Sequence, residues 1–342
     1  MSPPDLKSDT SLPNPQKGLE CPPSSPPEID VVIPTFNCRS NIDRCLRDLR
    51  AQQGVRLRVI IVDSGSTDGT IEIARQHGAE IVVNPGQLAA GLKGARHTGE
   101  LLSRAEFVWI VDSDNFVHDD QAAYKLVIPL LSDSTIQLSI PMICAQEGTS
   151  WFNRWLTLHE RNALLEMSQR GTRLCDHVWK LDEIDYGISN ATLIRRAALI
   201  AAGGYDSDVR LLQRLRRQNL AKGVVVTTAE YTHEQTTGAL DYQRKWKKKV
   251  VRYSRLGREE LKAYFVQDAG DNRASKSHRG MFNSMMSNPV EYAKLSLRRL
   301  YETRDSAYLG FIVYFLIVAY IALTHPRALR RAYSVFVQDE GT

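Results

Sequence analysis

EFVWIVDSDN, residues 106–115, is an apolar run from Phe107 to Val111 that closes on two aspartates with one serine between them. A β-branched and aromatic run of this length, ended by turn formers, reads as a buried strand. Asp112 and Asp114 then stand at its carboxyl end. If strand geometry continues through them, residues two apart share a face and both carboxylates point the same way. Three similar runs precede this one. IDVVIPTFN (29–37) is closed by Pro34 and Asn37, LRVIIVD (57–63) by the turn-forming SGSTDGT (64–70), and AEIVVN (79–84) by Asn84. Helical patterns fill the gaps: Ile42, Cys45, Leu46 and Leu49 recur at i, i+3, i+4 and i+7, TIEIARQHG (70–78) ends on Gly78, and LAAGLKGARHTGELLS (88–103) follows.

Strand and helix therefore alternate four times with short connections. That order predicts an α/β fold with a doubly wound, mostly parallel sheet flanked by helices. In such sheets ligands bind beyond the carboxyl ends of the strands. Thr35, Asp63, Asn84, Asp112 and Asp114 all fall there. Hard oxygen ligands at that place suit Mg²⁺ or Mn²⁺, ions that bind together with a phosphate-bearing substrate. A lone D-x-D is also what an ordinary acidic turn looks like, so the pair does not decide the matter alone.

The second half is less regular. DDQAAYKLVIPLLS (119–132) and SWFNRWLTLHERNALLEMSQ (150–169) read as helices, TIQLSIPMIC (135–144) as a strand, ISNATLIRRAALIAAGGYD (188–206) as a strand running into a helix stopped by Gly203-Gly204, and RLLQRLRRQNL (210–220) as a further helix. The stripe Trp151, Phe152, Trp155, Leu158 reads as core, or, at a domain rim, as a surface for a lipid or acceptor.

At the two ends the composition changes. Residues 1–28 are rich in Pro and Ser, with no apolar core and no basic start, which predicts a disordered tail rather than a signal peptide. AYLGFIVYFLIVAYIALT, residues 307–324, carries no charge and approaches the roughly 20 apolar residues a membrane helix needs. It predicts a membrane helix, or else an apolar helix docked on the domain. Arg298, Arg299 and Arg304 precede it and Arg327, Arg330 and Arg331 follow, so the charges set no orientation. Residues 259–306 read as a helical linker and 325–342 as a tail. The five cysteines (21, 38, 45, 144, 175) form no metal-ligand spacing and fit free thiols in a reducing compartment. The 43% apolar and 24% charged composition, with a net charge of +5, is that of a folded globular chain. RKWKKKVVRYSRLGR (244–258) gathers eight of the cations and suits a solvated face, a diphosphate, or an anionic membrane surface. No base-reading motif points to nucleic acid.

The order VVIPTFN (31–37), VDSGSTDGT (62–70), GARHTG (94–99) and VDSDN (111–115) resembles the nucleotide-binding half of family 2 glycosyltransferases, whose fold is called GT-A. The likeness continues through SNATLIRRAALIAAGGYD (189–206) to YTHEQTTGALDYQRKW (231–246), which places the domain at residues 29–258. The resemblance implies a nucleotide-diphosphate sugar donor, with Pro34, Thr35, Asn37, Asp63, Asn84, Arg96, Asp112 and Ser113 lining its nucleotide. It implies a divalent metal, Mg²⁺ or Mn²⁺, on Asp112, Asp114 and His233, with Asp114 the more direct ligand and His233 able to contact the diphosphate instead. It implies a base for the acceptor hydroxyl at Asp208, with Asp206 as rival. Relatives carry a Glu-Asp pair at this point, where this chain has Ser207-Asp208. His97 stands where the family often has Asn. The array of membrane spans found in processive synthases is absent, and QRKW (243–246) is only loosely similar to their Gln-x-x-Arg-Trp motif. Transfer of a single sugar to an acceptor hydroxyl or lipid phosphate, by a cytoplasm-facing domain at the membrane, is the expectation. A membrane-tethered sugar-nucleotide-binding subunit without turnover and, on a similar sheet, a nucleotidyltransferase are the alternatives.

Overall fold

The computed structural model describes residues 25–83, 91–175, 178–181, 191–204, 211, 214, 215, 218, 223–234, 236–255 and 289–327. Strand β1 (Glu28–Thr35), helix α1 (Arg39–Arg50), β2 (Arg56–Asp63), α2 (Thr70–Gln76), β3 (Glu80–Val83), α3 (Gly91–Leu102) and β4 (Phe107–Ile110) follow the alternation expected from the sequence. The stripe Ile42, Cys45, Leu46 and Leu49 is the buried face of α1. The four strands pair in parallel in the order β3-β2-β1-β4, and their register sets Thr35 beside Asp63 at the carboxyl edge.

From there the sheet is mixed. Strand β5 (Asn115–Val117), α4 (Ala122–Ser132), β6 (Leu138–Ile143), α5 (Trp151–Arg170), β7 (Thr172–Cys175), β8 (Val178–Lys180), β9 (Leu193–Arg195), α6 (Arg196–Ala201) and β10 (Val224–His233) complete it. β9 lies antiparallel between β4 and β6, β6 and β10 are parallel, and β10 pairs antiparallel with β5 and β8. The expected α/β sheet is found, parallel through β3-β2-β1-β4 and again between β6 and β10, with antiparallel pairs elsewhere. The short runs at β5 and β9 carry too few residues for periodicity to set their direction.

An ion pair pins the parallel half at its other edge. Asp30 faces Arg58 across β1–β2, accepting its Nε and Nη2 at 2.7 and 2.8 Å, and also accepts the amides of Arg104 and Ala105 ahead of β4. Burial alone raises the carboxyl, but Arg58 and the two amides hold it below the usual carboxylate range. Helix α3 lies on this sheet with almost no gap. A Cβ on Gly99 would come within 2.2 Å of Val32 Cγ1.

Helices α7 (Ala239–Arg255), α8 (Pro289–Thr303) and α9 (Gly310–Thr324) follow, with a 3₁₀ turn at Ser306–Leu309 leading into α9. Together with α5 they form a second core. Phe152 and Trp155 of the aromatic stripe pack there with Val250, Tyr292, Phe311, Tyr314 and Ile317. The apolar 307–324 segment is thus docked on the domain along one face. Gly310 makes the approach possible, since a Cβ there would lie 2.3 Å from Trp155 Cγ.

Candidate functional site

The end of β1 and the end of β2 are laced together by side chains. Thr35 Oγ1 donates to Asp63 Oδ2 at 2.7 Å, and both residues are fully buried. Asp63 also accepts the amides of Gly65 and Ser66 at 2.9 and 2.7 Å and the Ser66 hydroxyl at 2.5 Å. A carboxylate with four donors at a strand end fixes the path of the following loop. Asn37, in the left-handed region at φ 49°, donates its amide to Ser66 Oγ and accepts the Thr67 amide on its side chain. Asp68 caps this arrangement, accepting Arg39 N, Thr70 N and Thr70 Oγ1. In the sequence alone, Ser66, Asp68 and Thr70 stand only as turn formers. Their Asx-type bonds become visible once β1 and β2 are neighbours. Pro34 is the penultimate residue of β1, in register with Val62 of β2.

The third wall is the D-x-D segment, and here the expected geometry is overturned. Strand β4 stops at Ile110, and the Asn115 amide closes a turn on the Asp112 carbonyl at 2.9 Å. The two carboxylates therefore do not share a strand face. Asp112 meets Arg96 of α3, whose Nη2 lies 2.6 Å from both carboxylate oxygens in a pair that is almost wholly buried. Asp114 instead meets His233 at the end of β10, Nε2 to Oδ2 at 3.5 Å, and its carbonyl accepts the Glu234 amide. Ser113 stands in the turn between them and lies against Cys38.

These neighbours set the charges. Burial disfavours ionisation of His233, but Asp114, Glu160 and Asp112 outweigh it and push its pKa up to about 9. It is an imidazolium at neutral pH. Burial likewise opposes ionisation of Asp114, and the His233 cation, with Lys245 of α7, reverses this and holds the carboxyl below its usual range. The basic helix α7 therefore acts on this edge of the sheet. Asn153 of α5 holds the other end of His233 by donating to its carbonyl at 3.0 Å.

Sequence and structure thus agree in bringing Pro34, Thr35, Asn37, Asp63, Arg96, Asp112, Ser113, Asp114 and His233 to one sheet edge. Asn84 and both base candidates, Asp206 and Asp208, lie outside the described residues. Among the described residues no group of three His, Cys, Asp or Glu side chains converges closely enough to cage an ion. Asp112 and Asp114 fit a divalent cation in the way Mg²⁺ is commonly held, by one or two carboxylates completed by substrate phosphates. His233 Nε2 lies 3.5 Å from Asp114 Oδ2, and once deprotonated it offers a nitrogen ligand at the same place.

The model of glycosyl transferase family 2 matches residues 30–201, half of the chain. Glycosyltransferase GlyA of Streptococcus pneumoniae is 23% identical over 193 residues, 55% of this chain and 25% of that protein. The chondroitin synthase of Escherichia coli is 34% identical over 96 residues, 28% of this chain and 14% of that protein. The chain thus spans a quarter or less of the length of these two relatives. Among solved structures, glucosyl-3-phosphoglycerate synthase of Mycobacterium tuberculosis, in complex with Mn²⁺, UDP and glucosyl-3-phosphoglycerate, is similar at a TM-score of 0.44 and 22% identity, covering 64% of this chain and 77% of that one. With strands β2 to β9, the laced β1–β2 loops and the D-x-D turn falling inside the matched span, the chain belongs to glycosyl transferase family 2.

Proposed function

We propose that this chain is an inverting glycosyltransferase that moves one sugar from a nucleotide-diphosphate donor to an acceptor hydroxyl or lipid phosphate at a membrane. The observation that carries this reading is the convergence, on one sheet edge, of the Thr35–Asp63 loops with two aspartates that each face a cation, Arg96 and His233. The rigid loops after β1 and β2 offer a fixed wall for the nucleoside. Asp112 and Asp114 would hold Mg²⁺ or Mn²⁺ there, and such an ion supplies charge neutralisation to a departing diphosphate.

The chain's own groups supply the rest. Arg96 and the His233 imidazolium place fixed positive charge where the leaving group gains negative charge, stabilisation that needs no reorganisation during the reaction. The acceptor oxygen forms its bond to the anomeric carbon from the side opposite the diphosphate. The bond from that carbon to the diphosphate oxygen breaks, its electron pair leaves with the nucleotide, and the configuration inverts. Asp208 is the proposed acceptor of the hydroxyl proton, with Asp206 as rival, a role worth ~10²–10⁴-fold in rate. A phosphate acceptor is already ionised and does not need it.

The test is turnover. Nucleoside diphosphate release from UDP-, GDP-, CDP- and dTDP-sugars is followed with Mn²⁺ for wild type, Asp114→Asn and Asp208→Asn. One donor class should turn over, and both variants should be slow. No turnover with any donor, alongside intact nucleotide binding, favours the binding-subunit alternative.

A further inference from the structure

Helix α9 has two apolar faces, and among the described residues only one is packed. Phe311, Tyr314, Ile317, Val318 and Ile321 are buried against the second core. Ile312, Leu316, Tyr320 and Leu323 form a stripe on the opposite side, at spacings of four, four and three, and are 47%, 65%, 43% and 84% exposed. Helix α8 exposes Val290, Leu297 and Tyr301 as well. An exposed apolar stripe of this length marks a surface that meets another phase or partner.

The buried face decides how α9 can meet a bilayer. A spanning helix is clothed by lipid or by other spanning helices. The buried contacts of α9 run from Phe311 to Ile321, almost its whole length, and are made with α5, α7 and α8. Those helices carry Arg154, Lys245 and Arg299 among other charges. Threading α9 across the hydrocarbon would either strip it from Trp155 and Tyr242 or carry these charges to bilayer depth, where they are costly. Lying parallel to the surface, α9 keeps its core contacts and presents the free stripe to acyl chains.

The neighbours of α9 also carry the charge that suits an anionic surface. Arg244 and Lys248 of α7, Lys294 and Arg298 of α8, and Arg304 and Arg327 around α9 are all exposed. Arg244 and Arg298 also pair with Asp241 and Glu302, whereas Arg304 and Arg327 flank α9 itself, and an apolar stripe on a helix flanked by cations is the make-up of helices that lie in the interfacial plane.

We infer that α9 is an in-plane membrane anchor: with α7 and α8 it seats the domain on an anionic lipid surface through Ile312, Leu316, Tyr320 and Leu323, without crossing the bilayer. This rests on the membrane reading above and is independent of the donor. It would keep the domain and its acceptor-facing side at a fixed height above the lipid headgroups.

Flotation of the full chain with vesicles tests it, using phosphatidylcholine alone and phosphatidylcholine with phosphatidylglycerol. Wild type should float with the anionic vesicles, less so with the neutral ones, and should be released by alkaline carbonate. The double substitution Leu316→Glu/Leu323→Glu, at exposed positions, should lower vesicle partition by ~10-fold or more while leaving the melting temperature in vesicle-free buffer unchanged. Wild type that floats but resists carbonate would overturn the in-plane anchor and leave the membrane reading standing. Wild type that floats on neither vesicle would overturn both. A double variant that floats as well as wild type would overturn the role of the stripe. A soluble dimer dispersed by the same substitutions, with no flotation, would assign the stripe to a second copy of the chain.

Discussion

The position of Arg96 depends on how closely α3 sits on β1, and Gly99 measures that distance. A Cβ on Gly99 would fall 2.2 Å from Val32 Cγ1 and 3.1 Å from Cγ2, and both Gly99 and Val32 are buried. Gly99→Ala therefore forces an overlap into a packed core, a strain of ~1–3 kcal/mol. The same change gains ~1 kcal/mol of helix propensity, because Gly99 lies inside α3. With the strain near the middle of its range, the net effect is ~1 kcal/mol of destabilisation. Val32→Ala removes both offending methyls and leaves Cβ, which stands at 3.2 Å. In that background the overlap is eased and the propensity gain remains, so Gly99→Ala should become neutral or stabilising by up to ~1 kcal/mol. The coupling between the two sites is thus ~2 kcal/mol, well beyond the ~0.3–0.5 kcal/mol scatter of independent sites. Urea denaturation of the four proteins reads it directly. Equal costs of Gly99→Ala in both backgrounds would refute the contact, and with it the placement of Arg96 against Asp112.

Three further outcomes are expected. Asp30→Ala should cost ~1–3 kcal/mol in denaturant unfolding, because it leaves two part-buried backbone amides without their acceptor while Arg58 keeps Glu80 and the Leu102 carbonyl; since the Asp30 pKa is lowered by folding, its contribution is present above about 3.8 and lost as the pH falls through the folded value, so wild type should lose its advantage over the variant only in acid. His233 is raised by folding, to about 9 against ~6.5 when unfolded, so its pair with Asp114 stabilises fully below ~6.5 and is lost as the pH rises through about 9; in metal-free buffer the melting temperature of wild type should fall across that window more steeply than that of His233→Gln. Gly310→Val should push the start of α9 off Trp155 at a cost of ~1–3 kcal/mol, seen as a loss of near-ultraviolet circular dichroism from the α5 aromatics.

What the sequence made legible follows from which forces act locally. The first four strands and three helices were readable because their apolar periodicities are long and their turns are rich in Gly, Asp and Pro. The aromatic stripe of α5 reads as core, and Phe152 and Trp155 are core, although nothing in the stripe says that its partner is the apolar helix that begins at Gly310. Asp112 and Asp114 stand at the expected edge, but the strand that would align them ends at Ile110. The turn that separates them is fixed by β5 pairing with β10, a contact between residues over 110 positions apart. The charge of His233 was equally out of reach, because it arises from Asp114, Glu160 and Asp112, brought together only by the fold. Ser66, Asp68 and Thr70 lay in plain view as turn residues, and their bonds to Asn37 and Arg39 required knowing that β1 and β2 are neighbours.

The central claim is that the turn at Asp112–Asp114 and the loops around Asp63 form one metal-dependent donor site. Thermal unfolding of the full chain with UDP, GDP, CDP and dTDP, each with and without Mn²⁺, tests it most directly, with Asp114→Ala as the control. A nucleotide at ~100 times its dissociation constant adds ~2.7 kcal/mol to stability. The account predicts that one nucleotide raises the melting temperature of wild type only when Mn²⁺ is present, and that Asp114→Ala shows no such rise. Stabilisation that is equal without metal, equal in the variant, or missing for all four nucleotides would contradict it.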